Sequence, residues 1–189
     1  MQTRTFVGMV LGHGHLYWRE LAGLASEDGV RKLCVELHGN QLVYNVPSLL
    51  RLRREIGTVV GANLDPSHLM WMGADPLVAV DALGEAIFHV HAKDTYLNPA
   101  RQATTGLLEN GSLTDVPAPS WTYITLGYGH DEAWWREFCY RLRMAGCDGW
   151  LSIEHEDVML SRLEGARRSV ALLNVVAPRE ASDFAPQAI

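Results

Sequence analysis

Four apolar segments of this chain each end in acidic residues or histidines, and this repetition restricts the fold more than any other feature. The segments cover residues 33–35, 58–62, 86–88 and 150–153. Short apolar runs bounded by turn residues are typical of buried strands. Acidic side chains usually lie on solvated helix faces and in loops, so their repeated position at strand ends indicates a functional edge of a sheet.

The spacing of these polar positions predicts repeated strand–helix units. Asp65 follows Glu36 by 29 residues, and His91 follows Asp65 by 26, which is about the length of one βα unit. Glu154 comes 63 residues after His91, because a long segment rich in Gly, Pro, Asn, Ser and Thr intervenes. Alternating strands and helices favour a parallel sheet with right-handed crossovers, whose strand carboxyl ends share one edge.

The other elements are predicted from composition and from helix start and stop residues. A further strand is predicted over 5–11, which makes about five strands, and a long lid or binding loop is predicted over 95–130. Five helices are predicted, and three of them cover 16–25, 131–145 and 161–176. Another begins at 45–48, with Asn45 or Ser48 as its cap, and ends at Gly57. The remaining one begins at Asp75-Pro76. Residues 1–177 are predicted to form one domain, and residues 178–189 a flexible tail.

Charge and composition exclude several classes of partner. The chain has 189 residues, 48% of them hydrophobic, which is enough for the core of one domain. The formal charge of -6 argues against nucleic acid and against anionic membranes. The three cysteines show no CxxC spacing, and neither a secretory signal nor an apolar run of about 20 residues is evident. We therefore predict a soluble, cytoplasmic protein.

Five short motifs resemble the xylose isomerase-like TIM-barrel superfamily, and specifically its sugar phosphate isomerase/epimerase group. They are Val35-Glu36-Leu37-His38, Asn63-Leu64-Asp65-Pro66-Ser67-His68, His89-Val90-His91-Ala92-Lys93-Asp94, Gly127-Tyr128-Gly129-His130-Asp131 and Ser152-Ile153-Glu154-His155-Glu156-Asp157. A complete barrel of this superfamily has eight βα units. The resemblance therefore implies an α/β fold of the (β/α) TIM-barrel type that is incomplete, with about the C-terminal five units of eight.

The resemblance also implies a metal site. Members of the superfamily look alike in using a Glu, Asp, His, Glu quartet to bind a divalent cation, and matching motif to motif implies Glu36, Asp65, His91 and Glu154 here. Three carboxylates and one imidazole suit Mn²⁺ or Mg²⁺, with Co²⁺ or Zn²⁺ as alternatives. His89 is expected to pack inward or to lie outside the ligand set.

The activity implied by the resemblance is isomerisation or epimerisation of a sugar or sugar phosphate. A proton would move through an enediolate that the metal stabilises, with Glu36 and Glu154 as the catalytic proton carriers. His68 matches a position that contacts substrate hydroxyls in family epimerases. Lys93 is expected to neutralise a substrate oxyanion or phosphate, and His38 is expected to line the substrate site or, like the histidine at 155, to orient the ligands.

Three other interpretations stay open. The same site suits an inosose-type dehydratase, which would lose a hydroxyl from the same enediolate. Endonuclease-like members of the superfamily hydrolyse phosphodiesters with several zinc ions. They need more His and Glu ligands than this chain offers, and a basic groove for DNA that its net charge does not favour. A barrel without its first strands is also consistent with a non-catalytic remnant. The expected partner is a small sugar, and a homo-oligomer would cover an open sheet edge.

Overall fold

The computed structural model describes residues 6–108, 115 and 119–184. Its strands are β1 (Leu33–Glu36), β2 (Val60–Leu64), β3 (Ile87–Ala92), β4 (Asp94–Leu97), β5 (Trp121–Ile124) and β6 (Leu151–Ile153). Its α-helices are α1 (Phe6–Glu27), α2 (Val46–Ile56), α3 (Pro66–Trp71), α4 (Pro76–Leu83), α5 (Pro99–Thr105), α6 (Glu132–Met144) and α7 (Arg162–Val176), with a short 3₁₀ helix at Gly84–Ala86.

A four-stranded parallel sheet in the order β1-β2-β3-β6 carries the candidate site. Glu36 pairs in register with Asn63, Asn63 with His89, and His91 with Ser152. The backbone N–H of Glu154 donates to Ala92 across 3.2 Å and extends the last pairing beyond β6. All four strands therefore end at the same edge, and the predicted α/β fold with a parallel sheet is confirmed.

The core lies between the outer face of this sheet and the helices. Alternate strand residues such as Val60, Leu64 and Val90 are fully buried against the helices, and so are Trp135 and Phe138 of α6. Burying one such side chain stabilises the fold by about 1.5–3 kcal/mol. Because successive strand residues point to opposite faces, burying this apolar set leaves the intervening polar residues on the other face.

The predicted helix caps are confirmed. Asn45 accepts a hydrogen bond from the backbone N–H of Ser48 at 3.0 Å, and Ser48 Oγ accepts one from the N–H of Asn45 at 3.1 Å, which forms a capping box. Gly57 ends α2 with a positive φ of 126°. Asp75 caps α4, and Asp131 caps α6.

The predicted strand over 5–11 is wrong, because residues 6–27 form one helix, α1. An apolar run of this length satisfies the strand pattern and the buried-helix pattern equally well. No proline separates this run from the helical segment that follows it, so the helix continues through both. The helix packs beside α2, and the described part of the parallel sheet has four strands instead of five.

The segment predicted as a long loop contains regular structure in its described part. Within 95–130, β4 and β5 pair antiparallel, with Thr95 opposite Tyr123, and α5 follows β4. Residues 109–114 and 116–118 lie outside the described residues. Only Lys93 separates the end of β3 from the start of this hairpin, which therefore stands beside the edge of the main sheet where the candidate ligands lie.

The predicted tail falls partly outside the described residues, which end at 184. The proposed domain limits at 177 and 178 stay predictions. No helix among the described residues combines the length and the apolar character needed to cross a bilayer.

Candidate metal centre

Four side chains converge at the carboxyl edge of the parallel sheet, one from each strand. Glu36 ends β1, Asp65 follows β2, His91 lies in β3 and Glu154 follows β6. One ligand atom from each lies within 4.8 Å of all the others. Two ligands about 2.1–2.5 Å from one ion are at most about 4–5 Å apart, so this separation suits a single cation.

His91 stands at the centre of this group. Its Nδ1 atom lies 3.0 Å from Glu36 Oε1, 3.1 Å from Glu154 Oε2 and 4.0 Å from Asp65 Oδ2. The amide nitrogen of Asn63 lies against the same ring, 3.1 Å from Nε2 and 3.4 Å from Nδ1. Nδ1 is therefore the ring nitrogen turned toward the three carboxylates.

The two carboxylate oxygens of Asp65 have different surroundings: Oδ1 is hydrogen bonded to Ser67, and Oδ2 faces the other candidate ligands. Its Oδ1 accepts hydrogen bonds from the backbone N–H and the hydroxyl of Ser67, at 2.9 and 2.6 Å, and so caps α3. Its Oδ2 is buried and makes no aligned hydrogen bond with a described residue, but it faces the Lys93 ammonium at 3.1 Å and His68 Nε2 at 3.4 Å. Burying a carboxylate oxygen is unfavourable unless positive charge lies beside it, and a metal cation would add to the compensation that Lys93 provides. The donor set and this oxygen therefore fit a divalent metal ion.

Lys93 is a buried ammonium beside the same carboxylates, with 2% of its side chain exposed. Its Nζ lies 3.1 Å from Asp65 Oδ2, 2.9 Å from Glu154 Oε2 and 3.1 Å from Glu156 Oε2. Burial lowers the pKa of Lys93, but the charges of Asp65 and Glu154 outweigh it, and the net pKa lies above its ordinary value. Lys93 therefore stays charged and partly neutralises the acidic cluster.

The two candidate proton carriers are both ionised near neutral pH. The pKa of Glu36 lies well below its ordinary value because the rings of His68 and His91 stand beside it. Burial raises the pKa of Glu154, but the hydrogen bond and charge of Lys93 lower it by more, so the net pKa also falls. The pKa of His91 is raised, chiefly by its hydrogen bond to Glu36.

A row of aromatic rings forms one wall of the site. His68 Nε2 lies 3.4 Å from Asp65 Oδ2, and its Nδ1 is 2.9 Å from the hydroxyl of Tyr123. The His38 ring meets the His68 ring edge to face, with 4.2 Å between centroids. Trp71 lies beyond His38 and stacks on the Trp at 121, which precedes Tyr123 by two residues in β5. His68 and His38, both predicted from sequence, are therefore next to the ligand group.

Three other histidines take part in different contacts. His89 forms a 2.9 Å hydrogen bond with Ser152 Oγ and lies outside the group of four converging ligand atoms. His155 lies with Nε2 3.4 Å from the carbonyl of Leu160, and its ring packs against Gly165 in α7. His130 donates through Nδ1 to Asp94 Oδ1 at 2.8 Å.

Sequence reasoning gave no role to three residues that touch the site. Asn63 contacts His91, Glu156 contacts Lys93, and Tyr123 contacts His68. Asn63 was detectable, since residues two apart on a strand share a face and it precedes Asp65 by two. The alternation in Trp121-Thr122-Tyr123-Ile124 is a strand signal that the abundance of turn residues around it obscured. Glu156 was detectable in the same way as Asn63, since it follows Glu154 by two in the acidic run after β6.

Comparison with known proteins gives two kinds of match. The sequence profile of the family described as xylose isomerase-like TIM barrel matches residues 17–175. The uncharacterized protein YfiH of Bacillus subtilis strain 168 is 46% identical over 157 residues, which are 83% of this chain and 50% of YfiH. The chain thus spans about half the length of this curated relative.

Solved structures with the same fold include two enzymes. The probable 3-DHS dehydratase AsbF of Bacillus anthracis superposes with a TM-score of 0.59 at 20% identity, over 85% of this chain and 54% of AsbF. A D-psicose 3-epimerase studied in the presence of D-fructose superposes with a TM-score of 0.56 at 16% identity, over 84% of this chain and 54% of the epimerase. At these identities the likeness establishes the fold alone.

Proposed function

The chain belongs to the xylose isomerase-like TIM barrel family, and from that premise we propose that it carries the site of a divalent-metal-dependent sugar isomerase or epimerase. The observation that supports this proposal is the convergence of Glu36, Asp65, His91 and Glu154 within 4.8 Å. Side chains from four successive strands of a sheet meet in this way only if the strand ends form a common site.

The residues that would hold the ion are the same four, and their hard oxygen donors favour Mn²⁺ or Mg²⁺ over Co²⁺ or Zn²⁺. When bound, a divalent cation supplies a Lewis acid that favours negative charge on substrate oxygens. The buried Oδ2 of Asp65, which makes no aligned hydrogen bond with a described residue and faces the Lys93 ammonium at 3.1 Å, would gain a second positive partner from such a cation.

The proton transfer is assigned to Glu36 and Glu154. They come from the two edge strands of the described parallel sheet, and both approach Nδ1 of His91, at 3.0 and 3.1 Å. Both have lowered pKa values and are therefore ionised near neutral pH. The ionised form is the one that accepts a proton from a carbon next to a substrate carbonyl, and the lowered pKa makes each a weaker base than a free glutamate. Return of the proton to the opposite face gives an epimer, and return to the adjacent carbon gives the aldose–ketose isomer.

The substrate-binding roles belong to the side chains around this group. His68 presents Nε2 toward Asp65 and Glu36, where a substrate hydroxyl would accept from it. Lys93 lies with its ammonium beside Glu154 and neutralises negative charge that develops on the substrate. His38, edge-on to His68, shapes the wall against which a sugar packs. The expected ligand is a small sugar or sugar phosphate.

The first test of this proposal is metal binding. Calorimetric titration of the purified chain with Mn²⁺ is expected to show one ion per site, with a rise in the unfolding temperature. Asp65→Asn and His91→Gln are expected to abolish both, while Glu132→Gln, on the exposed face of α6, serves as the control and leaves them unchanged. Absence of a bound ion in the unaltered chain contradicts the proposal and favours a non-catalytic remnant.

The second test identifies the reaction. Incubation in D₂O with a panel of ketoses and inososes, followed by NMR, is expected to show deuterium entering at the carbon next to the carbonyl. Labelled carbon positions separate epimerisation from isomerisation, and formation of an unsaturated product with loss of water indicates the inosose-type dehydratase instead. No exchange with any ketose, in a chain that binds Mn²⁺, contradicts the sugar isomerase assignment.

Two further expectations belong to this proposal. In the described residues β1 and β6 are the edges of the parallel sheet and each pairs with one neighbour, so association of chains in a homo-oligomer would cover them. Light scattering on the eluted protein tests this, and a monomer at micromolar concentration contradicts it. The cytoplasmic location stays a prediction from sequence.

A further inference from the structure

The candidate metal centre holds more acidic than basic side chains. Glu156 stands beside the three carboxylates of the ligand group, and Lys93 is the ammonium that faces them. Among the described residues, these four carboxylates form ion pairs with Lys93 and with the rings of His68 and His91, and with no arginine. Guanidinium groups are the side chains best suited to hold a phosphate through paired hydrogen bonds.

Lys93 has no hydrogen to spare for a further anion. An ammonium group has three N–H donors. Its Nζ donates to Glu154 at 2.9 Å and to Glu156 at 3.1 Å, and it faces Asp65 Oδ2 at 3.1 Å. Three carboxylates of the chain therefore surround the three hydrogens of Lys93.

The starts of the nearby helices are also occupied by acids of the chain. Backbone N–H groups at a helix N-terminus are common binding sites for phosphate. Those at the starts of α3, α4 and α6 donate to the carboxylates of Asp65, Asp75 and Asp131. Helix α7 is capped by Ser161 and carries Glu164 in its first turn. A phosphate at any of these four helix starts would lie beside a carboxylate.

Several arginines are engaged in contacts away from the ligand group. Arg53 donates to the carbonyl oxygen of Val60, at the start of β2, which is the opposite end of this strand from the candidate site. Arg168 pairs with Glu164 one turn earlier in α7. Two arginines of α6 likewise pair with acids one turn earlier in that helix, Arg136 and Arg141. These guanidinium groups neutralise acids of the chain instead of a ligand.

The remaining groups around the ligand atoms suit uncharged hydroxyls. The wall of the site contributes the hydroxyl of Tyr123, the imidazole nitrogens of His68 and the ring of His38. Hydroxyl and imidazole groups form hydrogen bonds with neutral hydroxyls, and aromatic rings pack against the C–H groups of a sugar.

We propose that the site takes an uncharged ketose or inosose and rejects the corresponding phosphate esters. This inference rests on the proposed function and narrows its substrate class. A phosphate monoester carries a charge of about −1.5 to −2 near neutral pH. The four carboxylates outnumber the one ammonium that faces them, and a divalent cation in the ligand group would leave no surplus of positive charge. The ester therefore meets like charge where the neutral sugar does not, and this repulsion separates the two.

The first test compares matched pairs of substrates in the D₂O assay. The pairs are ketohexoses with their 6-phosphate esters and inososes with their monophosphates. Each neutral compound that exchanges is expected to show a kcat/KM at least about 100-fold above that of its ester, because like charges brought together in a binding site cost several factors of ten in affinity. Esters that react as fast as the neutral compounds, or faster, contradict the inference.

The second test measures phosphate binding without turnover. Bound Mn²⁺ broadens the ³¹P NMR signal of any phosphate that lies near it, so inorganic phosphate added to the Mn²⁺-loaded protein reports occupancy of the site. The unaltered chain is expected to cause little broadening. Glu156→Gln removes the exposed carboxylate beside Lys93 and is expected to increase phosphate binding at least about tenfold.

The matched control is Glu85→Gln, which removes an equal charge. Glu85 lies in the 3₁₀ helix that precedes β3, at the amino end of the sheet, and its side chain is exposed. This variant is expected to broaden the ³¹P signal no more than the unaltered chain does. Circular dichroism and thermal unfolding establish that both variants are folded, and the comparison of matched substrates needs no variant.

The outcomes distinguish this inference from the proposed function. If the unaltered chain binds no Mn²⁺, or exchanges none of the neutral compounds or their esters, the proposed function and this inference are both refuted. Exchange that favours the phosphate esters refutes the inference and leaves the isomerase assignment in place. Equal ³¹P broadening by Glu156→Gln and Glu85→Gln refutes the inference as well, since the acidic surplus then does not exclude phosphate.

Discussion

The hydroxyl of Tyr123 is hydrogen bonded to Nδ1 of His68 across 2.9 Å, and this contact joins the β4–β5 hairpin to helix α3. Burial raises the pKa of Tyr123 to about 12, so the phenol keeps its proton near neutral pH and is able to donate it to His68 Nδ1. The other ring nitrogen of His68, Nε2, faces Asp65 Oδ2 at 3.4 Å.

Tyr123→Phe removes this donor and leaves the rest of the ring in place. We expect a loss of about 1 kcal/mol in the free energy of unfolding. If the proposed function holds, we also expect the rate of proton exchange to fall by up to about tenfold, because one hydrogen bond is worth about 1.4 kcal/mol or less and about 1.4 kcal/mol corresponds to a factor of ten in rate. Urea unfolding and the D₂O assay measure these. Tyr140→Phe, on an exposed part of α6, is the control, and identical behaviour of the two variants contradicts the prediction.

Lys93→Met tests whether the ammonium and a metal ion neutralise the same oxygens. Removing a buried partner leaves Asp65 and Glu154 uncompensated and is expected to destabilise the metal-free protein by about 3–5 kcal/mol. Because an adjacent positive charge repels a cation, Mn²⁺ is expected to bind more tightly and to raise the unfolding temperature further than in the unaltered protein. Lys32→Met, on the surface, is the control. A smaller Mn²⁺-induced rise in Lys93→Met than in the control contradicts the prediction.

Asp94→Asn is expected to be among the most destabilising single changes in the chain. The buried carboxylate accepts from the backbone N–H groups of Gly127, Gly129 and His130 at 2.9–3.2 Å and from the indole of Trp135 at 3.2 Å. The asparagine side chain replaces one accepting oxygen with an NH₂ group, whose hydrogens face some of these donors and cannot accept from them. We therefore expect the free energy of unfolding to fall by at least about 2–3 kcal/mol.

The matched control for Asp94→Asn is Asp131→Asn. Asp131 directly follows His130, the last residue whose backbone N–H bonds to Asp94, and it caps α6. Asn replaces Asp as a helix cap with little loss, so its unfolding free energy is expected to stay within about 0.5 kcal/mol of the unaltered value. Urea unfolding compares the two, and equal losses contradict the prediction.

Asp157 is expected to make stability depend on pH. Burial raises its pKa, but hydrogen bonds from Thr125, Met159 and Leu160 lower it by more, and the net pKa in the folded chain is below 3.8. A carboxyl group with a depressed folded pKa stabilises the protein above its unfolded pKa, and this contribution is lost as the pH falls through the folded value.

The variant Asp157→Asn reports this contribution directly. Its unfolding free energy is expected to be about 1–3 kcal/mol lower than that of the unaltered chain near neutral pH, and the difference is expected to shrink below pH 3.8. Urea unfolding at several pH values measures it, with Asp75→Asn, an exposed helix cap, as the control. A difference that stays constant through the acid range contradicts the prediction.

Much of the candidate site followed from local sequence signals. Apolar runs that end in Glu36, Asp65, His91 and Glu154 identify strand ends, and the carboxyl ends of parallel strands meet at one edge. The helix caps also follow from short-range hydrogen bonds within four residues, which is why Asn45 and the later caps were predicted correctly. Their roles as ligands and proton carriers stay predictions.

The sequence by itself therefore determined the α/β class and the edge of the sheet on which the strand-end acids and histidines lie, since these depend on residue pattern and strand polarity. The choice of Glu36, Asp65, His91 and Glu154 as candidate ligands came from the family resemblance. Only the tertiary structure decided that 6–27 is helical, that a hairpin brings Tyr123 to His68, and that Lys93 lies among the carboxylates. The physical reason is range: the Asn63–His91 contact joins residues 28 apart, and Tyr123 and His68 are 55 apart. Such hydrogen bonds depend on sheet register and on the path of the connecting segments, which neighbouring residues do not specify.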